Sequence, residues 1–172
     1  NKEFIRILMK EFNWEIEIKN KRRFRFGSNW INYSSKINDL NITEAIKSIQ
    51  YLLNLENLNG KSFLDVGCGS GIMSLAARRL GAKVFSFDFD RESVICTNNL
   101  KKNFYPNDFN WEIQEGSVLD ANYLENIGKF DIVYSWGVLH HTGNMWKSLE
   151  NVSIPLKYKN SILAIAIYND QG

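Results

Sequence analysis

The chain has 172 residues, of which 44% are hydrophobic and 23% are charged, and its formal net charge is +2. This length fits one domain with a substantial core, and the small net charge gives no long-range field that would attract nucleic acid. The two cysteines, Cys68 and Cys96, cannot form a disulfide framework and indicate a reducing compartment. They show no metal-ligand spacing, and no apolar run could cross a bilayer, so we expect a cytoplasmic protein without a metal site.

Residues 1–58 are predicted to form a helical lid segment that packs on the rest of the chain. Apolar positions over residues 1–12 follow a helical period, and Trp30 and Tyr33 could close over a ligand. Simple packing of these two aromatic residues on the sheet is an equally good interpretation. The basic run at residues 19–25 is interpreted as a solvated turn, with a contact to RNA or to an acidic substrate as the alternative.

The remaining residues, 59–172, alternate between strand-like and helix-like segments, after a helix predicted to begin at a capping box formed by Asn41 and Glu44. The predicted strands are residues 62–66, 83–87, 111–115, 131–135 and 161–167. The predicted helices that separate them are residues 70–80, 91–103, 120–126 and 144–152. This rhythm predicts an α/β fold, a Rossmann-like doubly wound parallel sheet of strand order 3-2-1-4-5 with helices on both faces.

The segment 63–71 reads F-L-D-V-G-C-G-S-G, a buried strand followed by a glycine-rich turn and a helix. Glycines permit positive φ and let the backbone approach a ligand closely. A dinucleotide-binding fingerprint has a third glycine where this chain has Ile72, and Asp65 at the strand end would repel a pyrophosphate. The motif therefore predicts a site for a cationic ligand and counts against a nicotinamide-dependent oxidoreductase.

Ligands of doubly wound sheets bind beyond the carboxyl ends of the strands, where the strand order reverses. Asp88, at the end of the second strand, could accept hydrogen bonds from both hydroxyls of a ribose, or it could lie in a surface turn. Phe89 either packs against a nucleobase or belongs to the core. After the third strand, Ser117 and the amide of Val118 are predicted to contact an adenine edge, whereas Asp120 is interpreted as a helix cap.

Both histidines of the chain, His140 and His141, follow the fourth predicted strand, just past the reversal of strand order. Imidazole exchanges protons near physiological pH, and an adjacent pair at a predicted cleft favours a functional role over a structural one. We expect this pair to supply a general base, with neither ring preferred.

The motif L-D-V-G-C-G-S-G, the acid after the second strand, E-G-S-V-L-D and F-D-I-V-Y-S-W-G-V-L-H-H together resemble the class I S-adenosylmethionine-dependent methyltransferases. The resemblance covers residues 27–172 and narrows to bacterial methyltransferase-domain proteins, which are distantly similar to the ubiquinone-biosynthesis and other small-molecule O-methyltransferases. The resemblance implies a role in cofactor binding for eleven residues. The methionine part would be bound by Asp65, Gly67, Cys68, Gly69 and Gly71, and the ribose and adenine by Asp88, Phe89, Ser117 and Val118. The sulfonium end would lie against Ser135 and Trp136.

The resemblance implies methyl transfer to a small-molecule acceptor, with a hydroxyl oxygen preferred. The charge and the apolar pattern of the sequence give no strong nucleic-acid signal and indicate no membrane partner. Sheets of this family normally have seven strands, so we expect the last two to be missing from this chain. A non-catalytic module that only binds S-adenosylmethionine is the main alternative. An oxidoreductase is less favoured because of Ile72 and Asp65. An RNA methyltransferase is less favoured because only the run at residues 19–25 is strongly basic.

Overall fold

A computed structural model of the chain describes residues 37–157 and 160–168. The predicted lid residues Trp30 and Tyr33 and the basic run at residues 19–25 lie outside the described residues, so these predictions and the division of the chain at residue 59 stay predictions. Across the described ranges, no helix has the length and apolar character that crossing a membrane requires.

The described part of the chain contains one sheet of five parallel strands in the order β3-β2-β1-β4-β5. The strands are β1 (Ser62–Val66), β2 (Lys83–Asp88), β3 (Trp111–Glu115), β4 (Ile132–Trp136) and β5 (Ile162–Ala166). The helices are α1 (Asp39–Leu53), α2 (Ile72–Arg79), α3 (Arg91–Phe104), α4 (Ala121–Asn126) and α5 (Met145–Asn151), with a 3₁₀ turn at Leu139–His141. The predicted fold class and strand order are confirmed, and the order reverses between β1 and β4.

Two hydrophobic clusters form because alternate residues of each strand point to opposite faces of the sheet. On one face, Phe63 of β1 belongs to a cluster with Ile49 of α1 and Leu75 of α2. On the other face, Leu64 of β1 belongs to a cluster with Leu124 of α4. The central strand β1 is therefore covered on both sides, as expected for a parallel sheet.

Helix α1 begins earlier than the sequence predicted. Its N-cap is Asn38, whose side chain accepts a hydrogen bond from the backbone of Asn41, while the Asn41 side chain accepts one from the backbone of Asn38. The prediction that Asn41 caps this helix in a box with Glu44 was wrong. Asn41 is the third residue of the helix, and its side chain accepts the return hydrogen bond of the capping box. Asparagine is also a common N-cap residue, so the sequence alone does not distinguish the two roles.

The glycine turn between β1 and α2 delays the start of that helix to Ile72, two residues later than predicted. Gly67, Gly69 and Gly71 have φ values of 78°, 53° and 81°, in the left-handed region that other residues rarely adopt. The turn therefore contains three residues in the left-handed conformation, and the helix begins immediately after the last of them.

Candidate functional site

A cavity of about 860 Å³ lies beyond the carboxyl ends of β1, β2 and β4, where the strand order reverses. This is the position at which doubly wound sheets bind ligands, and the volume falls in the range of small-molecule sites. Its walls are the glycine turn, the segment after β2, the loops after β3 and β4, Tyr168, and the residues Tyr51 and Leu52 of α1. Parts of the chain that are distant in sequence thus meet in one place.

The glycine turn is fixed by close packing against the rest of the protein. A Cβ atom on Gly67 would lie 2.5 Å from a methyl carbon of Val138, and a Cβ atom on Gly71 would lie 2.8 Å from a methyl carbon of Thr97. Backbone amides of Gly67 and Cys68 both donate to the carbonyl oxygen of Phe87, at 2.9 and 3.1 Å. The turn therefore has little freedom to move away from the cavity.

Asp65 contributes a buried carboxyl group to the cavity wall. Burial raises the pKa of Asp65 to about 7, and the charge of Asp88 adds to this, although a hydrogen bond from Ser74 opposes the change. The Ser74 hydroxyl donates to Oδ2 of Asp65 over 2.5 Å. A cationic ligand in the cavity would favour the ionised carboxylate and would gain a charge-assisted hydrogen bond.

Asp88 ends β2 at the cavity, with each carboxylate oxygen anchored by a backbone amide. Gly69 donates to Oδ2 at 3.0 Å, and Asp90 donates to Oδ1 at 2.9 Å. Burial raises the pKa of Asp88 to about 6, while these backbone hydrogen bonds act in the opposite direction. The carboxylate is thereby held at the wall, and its remaining acceptor capacity suits ligand hydroxyl groups. Phe89, next to it, also lines the cavity instead of joining either hydrophobic cluster.

The segment after β3 is arranged differently from the prediction. Gly116 and Val118 line the cavity, but Ser117 does not. The Ser117 hydroxyl accepts a hydrogen bond from the backbone of Leu119 at 3.2 Å, so this side chain stabilises the turn. The predicted cap is confirmed, because the side chain of Asp120 accepts from the backbone of Tyr123 at the start of α4.

At the end of β4, the side chains of Ser135 and Trp136 point to opposite faces of the strand. Ser135 is buried, donates to the carbonyl oxygen of Val66 at 3.2 Å, and does not line the cavity. Trp136 lines the cavity and stacks on Tyr134, with ring centroids 5.9 Å apart. Only the aromatic member of the predicted pair is therefore positioned to touch a ligand.

The structure distinguishes the two histidines. His141 lines the cavity, whereas His140 lies behind it with its ring centroid 3.9 Å from that of His141 and 5.0 Å from that of Tyr168. Both ring nitrogens of His140 are buried, and no described residue hydrogen-bonds to them. Burial, and to a smaller extent the neighbouring His140, lowers the pKa of His141 below its ordinary value. This lowered pKa favours the neutral imidazole, the form in which a histidine can accept a proton.

Charge and polarity in the cavity favour one class of ligand. Among the described residues that line it, three are acids, Asp65, Asp88 and Asp90, and none is lysine or arginine. Nor do the described residues include a group of side chains that could hold a metal ion. The described wall therefore suits a cationic ligand with apolar or aromatic parts better than a phosphate ester.

Sequence reasoning missed Ser74 and Ser86, which lie beneath Asp65. Ser86 is the register partner of Asp65 in the pairing of β1 with β2, so both side chains point to the same face. The available signal was a serine in the otherwise apolar segment V-F-S-F, together with the parallel pairing of the two strands. The contribution of Tyr51 to the wall has no comparable signal, since it depends on where α1 packs.

Curated proteins similar to this chain include two kinds of methyltransferase. A protein from Campylobacter fetus subsp. fetus named ribosomal protein L11 methyltransferase is 39% identical over 92 residues, which are 53% of this chain and 30% of that protein. A Coxiella burnetii ubiquinone biosynthesis O-methyltransferase is 26% identical over 131 residues, 76% of this chain and 53% of that protein. The chain thus spans about half, or less, of the length of these relatives.

A solved structure with a similar fold is magnesium protoporphyrin IX methyltransferase from Synechocystis PCC 6803, crystallised with bound S-adenosylhomocysteine. It is 18% identical, has a TM-score of 0.57, and the match covers 91% of this chain and 68% of that one. This likeness supports the fold described above. Residues 38–169 match the family model described as a methyltransferase domain, and the chain therefore belongs to that family, as the sequence motifs predicted.

Proposed function

We propose that this chain binds S-adenosylmethionine in the 860 Å³ cavity and transfers its methyl group to a small molecule, preferably at a hydroxyl oxygen. When bound, this cofactor supplies an electrophilic methyl group on a positively charged sulfur. The observation that carries the proposal is the acidic character of the described wall beside a fixed glycine turn. Within the described part of the cavity, no lysine or arginine competes for the carboxyl groups.

Individual wall residues suit separate parts of this cofactor. Asp65 would accept from the amino group of the methionine part, next to the backbone of Gly67, Cys68, Gly69 and Gly71. Asp88 would accept from the ribose hydroxyls, because both of its oxygens are already oriented by backbone amides. Phe89 and Val118 would contact the adenine, and the face of Trp136 would attract the sulfonium charge. Ser117 and Ser135 would act indirectly, by fixing the turn after β3 and the pairing of β4 with β1.

We assign the general base to His141. Methylation of a hydroxyl oxygen requires removal of its proton, and a neutral imidazole at the cavity wall can accept it. His140 lies against the His141 ring and is proposed to keep it in place. Alignment of the acceptor against the methyl group, a proximity effect, would provide most of the remaining acceleration.

A second candidate acceptor is an amino group of a protein. It is favoured by the similarity to proteins named ribosomal protein L11 methyltransferase, one of which is 39% identical over 92 residues. An amine that enters the cavity in its neutral form attacks without prior removal of a proton, so this reaction would depend on His141 less than methylation of a hydroxyl does.

The two candidates are separated by supplying methyl-labelled S-adenosylmethionine with either a panel of small phenols and other alcohols or a ribosomal protein fraction. We expect label in the small molecules, and we expect His141→Ala to reduce turnover about 100-fold or more while S-adenosylhomocysteine affinity changes little. His140→Ala is the matched variant and should reduce turnover less, because His140 does not line the cavity. Label in ribosomal protein, unaffected by His141→Ala, would support the second candidate. Binding of S-adenosylmethionine without transfer of the label to either kind of acceptor would indicate a non-catalytic module that only binds this cofactor.

A further inference from the structure

A line of buried hydrogen bonds runs from the edge strand β3 to the carboxyl group of Asp65. The indole Nε1 of Trp111 donates to Oγ of Ser86 at 2.9 Å, and the hydroxyl oxygens of Ser86 and Ser74 are 2.7 Å apart. Ser74 then donates to Oδ2 of Asp65 at 2.5 Å. All four side chains are buried, and of these only Asp65 lines the cavity.

When Asp65 is ionised, the direction of every hydrogen bond in this line is fixed by its two ends. An indole N–H can only donate, so Ser86 accepts from Trp111. A hydroxyl has one proton, and that of Ser74 is given to Asp65, so Ser86 must donate its own proton to Ser74. The three donors therefore all point toward the carboxylate. Hydrogen bonds aligned in this way polarise and strengthen one another.

The chemistry of these residues indicates a purpose beyond filling the core. Three neutral polar groups are buried beside an apolar cluster that includes Trp111 itself, where aliphatic side chains would pack without any need for partners. Each group is satisfied by the next, and the line ends on Asp65, one of the acids that line the cavity. The pairing of β1 with β2 places Ser86 directly beside Asp65, so the line needs no loop residue that could move.

We propose that Ser74, Ser86 and Trp111 are positioning residues for the cationic amino-acid end of the ligand. They hold Asp65 in one orientation at the wall and favour its ionised form, in which it can accept from an ammonium group. This inference rests on the proposed function, because it takes the ligand to be S-adenosylmethionine or its product. None of the three residues touches the ligand, and Asp65 alone makes the contact.

The test compares Ser74→Ala, Ser86→Ala and Trp111→Phe with the unchanged protein, by calorimetric titration of two ligands. S-adenosylhomocysteine carries the amino-acid end, whereas methylthioadenosine lacks it and keeps the nucleoside. We expect Ser74→Ala to weaken binding of the first ligand about 10-fold or more, with progressively smaller losses for Ser86→Ala and Trp111→Phe. Affinity for methylthioadenosine should change less than about twofold, because the nucleoside end does not meet Asp65.

Ser62→Ala is the matched control. Ser62 also donates to an aspartate, Asp131 Oδ2 at 2.8 Å, but it begins β1 at the end of the strand away from the cavity. Its loss should leave both affinities unchanged even if stability falls. Trp111→Phe removes the donor and keeps a smaller aromatic ring in the core, so it tests the line even if a serine variant fails to fold.

The pH dependence of affinity adds a readout that a purely structural role would not change. Loss of the Ser74 hydrogen bond should raise the pKa of Asp65 further, so binding of S-adenosylhomocysteine should require a higher pH in Ser74→Ala. Among the described residues, the other titratable groups facing Asp65 are Asp88, Cys68 and Tyr134. The pKa values of the thiol and the phenol are raised, so both stay neutral, and Asp88 titrates in every variant.

The possible results distinguish failure of the positioning role from failure of the proposed function. If the unchanged protein does not bind S-adenosylhomocysteine, the proposed function is wrong and this inference is wrong with it. If the unchanged protein binds but all three variants match it in affinity and pH dependence, only the positioning role is overturned. Equal losses for both ligands would also overturn it, since they would indicate general damage to the cavity.

Discussion

The carboxyl group of Asp65 is placed where burial works against its charge. Its pKa is about 7 in the folded protein, against 3.8 for the ordinary side chain, mainly because of desolvation. Because the pKa is higher in the folded protein, the unfolded chain loses this proton at a lower pH than the folded protein does. The contribution of Asp65 to stability is therefore complete below pH 3.8 and is lost progressively as the pH rises to about 7.

Asp65→Asn should accordingly stabilise the ligand-free protein more at high pH than at low pH. We expect the gain in the free energy of unfolding to be larger at pH 8 than at pH 5 by about 2 kcal/mol, since each pKa unit corresponds to about 1.4 kcal/mol. Urea unfolding at the two pH values measures the difference. An equal effect of the substitution at both would show that Asp65 is ionised throughout. The same variant should lose most of its affinity for S-adenosylhomocysteine.

Gly71 is restricted both by its backbone conformation and by a close neighbour. Its φ is +81°, and an added Cβ would lie 3.1 Å from the backbone Cα of Thr97, which cannot rotate away as a side chain could. Gly60 has a similar φ of +74° but no atom within 4 Å of an added Cβ. The two positions thus separate conformational strain from steric overlap.

We expect Gly60→Ala to destabilise the protein by about 1 kcal/mol, from the left-handed backbone alone. Gly71→Ala should cost about 1–3 kcal/mol more, because the methyl group also overpacks the contact with α3. Denaturant unfolding of both variants measures the difference. Equal losses would contradict the close packing of the glycine turn against Thr97.

At the scale of elements, Arg78 joins helix α2 to the segment that leads into β3. Its Nε donates to Oδ2 of Asp108 at 2.5 Å, a second nitrogen is 3.3 Å from Oδ1, and a third donates to the carbonyl oxygen of Ala82 at 3.0 Å. Burial alone would raise the pKa of Asp108, but hydrogen bonds from Arg78 and from the backbone of Asn110 outweigh it and lower the pKa. Three hydrogen bonds from one planar group thus fix this corner of the fold.

Arg78→Lys should reduce the free energy of unfolding by about 1–2 kcal/mol, because an ammonium group cannot reproduce the forked contact. Its neighbour Arg79 is exposed and lies over the rings of Phe104 and Tyr105, so Arg79→Lys should change stability by less than about 0.5 kcal/mol. Thermal or urea unfolding of the two single variants provides the comparison. Similar effects would mean that the charge at position 78 matters and its geometry does not.

Helices and strands with a clear hydrophobic pattern were predictable from the sequence. The hydrogen-bond partners and the directions of individual side chains were less predictable. Strand β3 (Trp111–Glu115) lies where it was predicted. Its apolar residues alternate with polar ones and polar turns flank it, which leaves little choice for where the strand begins and ends. The start of α1 was misplaced, since Asn38 and Asn41 are chemically alike and only the folded backbone distinguishes cap from partner. Ser135 was predicted at the ligand, but the alternation of β4 turns its side chain toward Val66.

At the scale of the whole molecule, the reversal of strand order determines where the chemistry can occur. Residues from α1 to the segment after β5 meet at one cavity, although Tyr51 and Tyr168 are far apart in the sequence. The carboxyl ends of parallel strands lie at one edge of the sheet, which is why Asp65, Asp88 and His141 could be predicted to converge. The line from Trp111 to Asp65 depends on side-chain direction across three strands, and motif spacing carries no such information.

Calorimetric titration of the unchanged protein with S-adenosylhomocysteine, with NADH as the comparison ligand, shows which cofactor this cavity binds. We expect saturable binding of one S-adenosylhomocysteine per chain and no binding of NADH. Asp88→Ala should lose about 10-fold or more in affinity, because this carboxylate is assigned to the ribose. Absence of heat with S-adenosylhomocysteine at any accessible concentration, or saturable binding of NADH instead, would contradict the assignment of this cavity to S-adenosylmethionine.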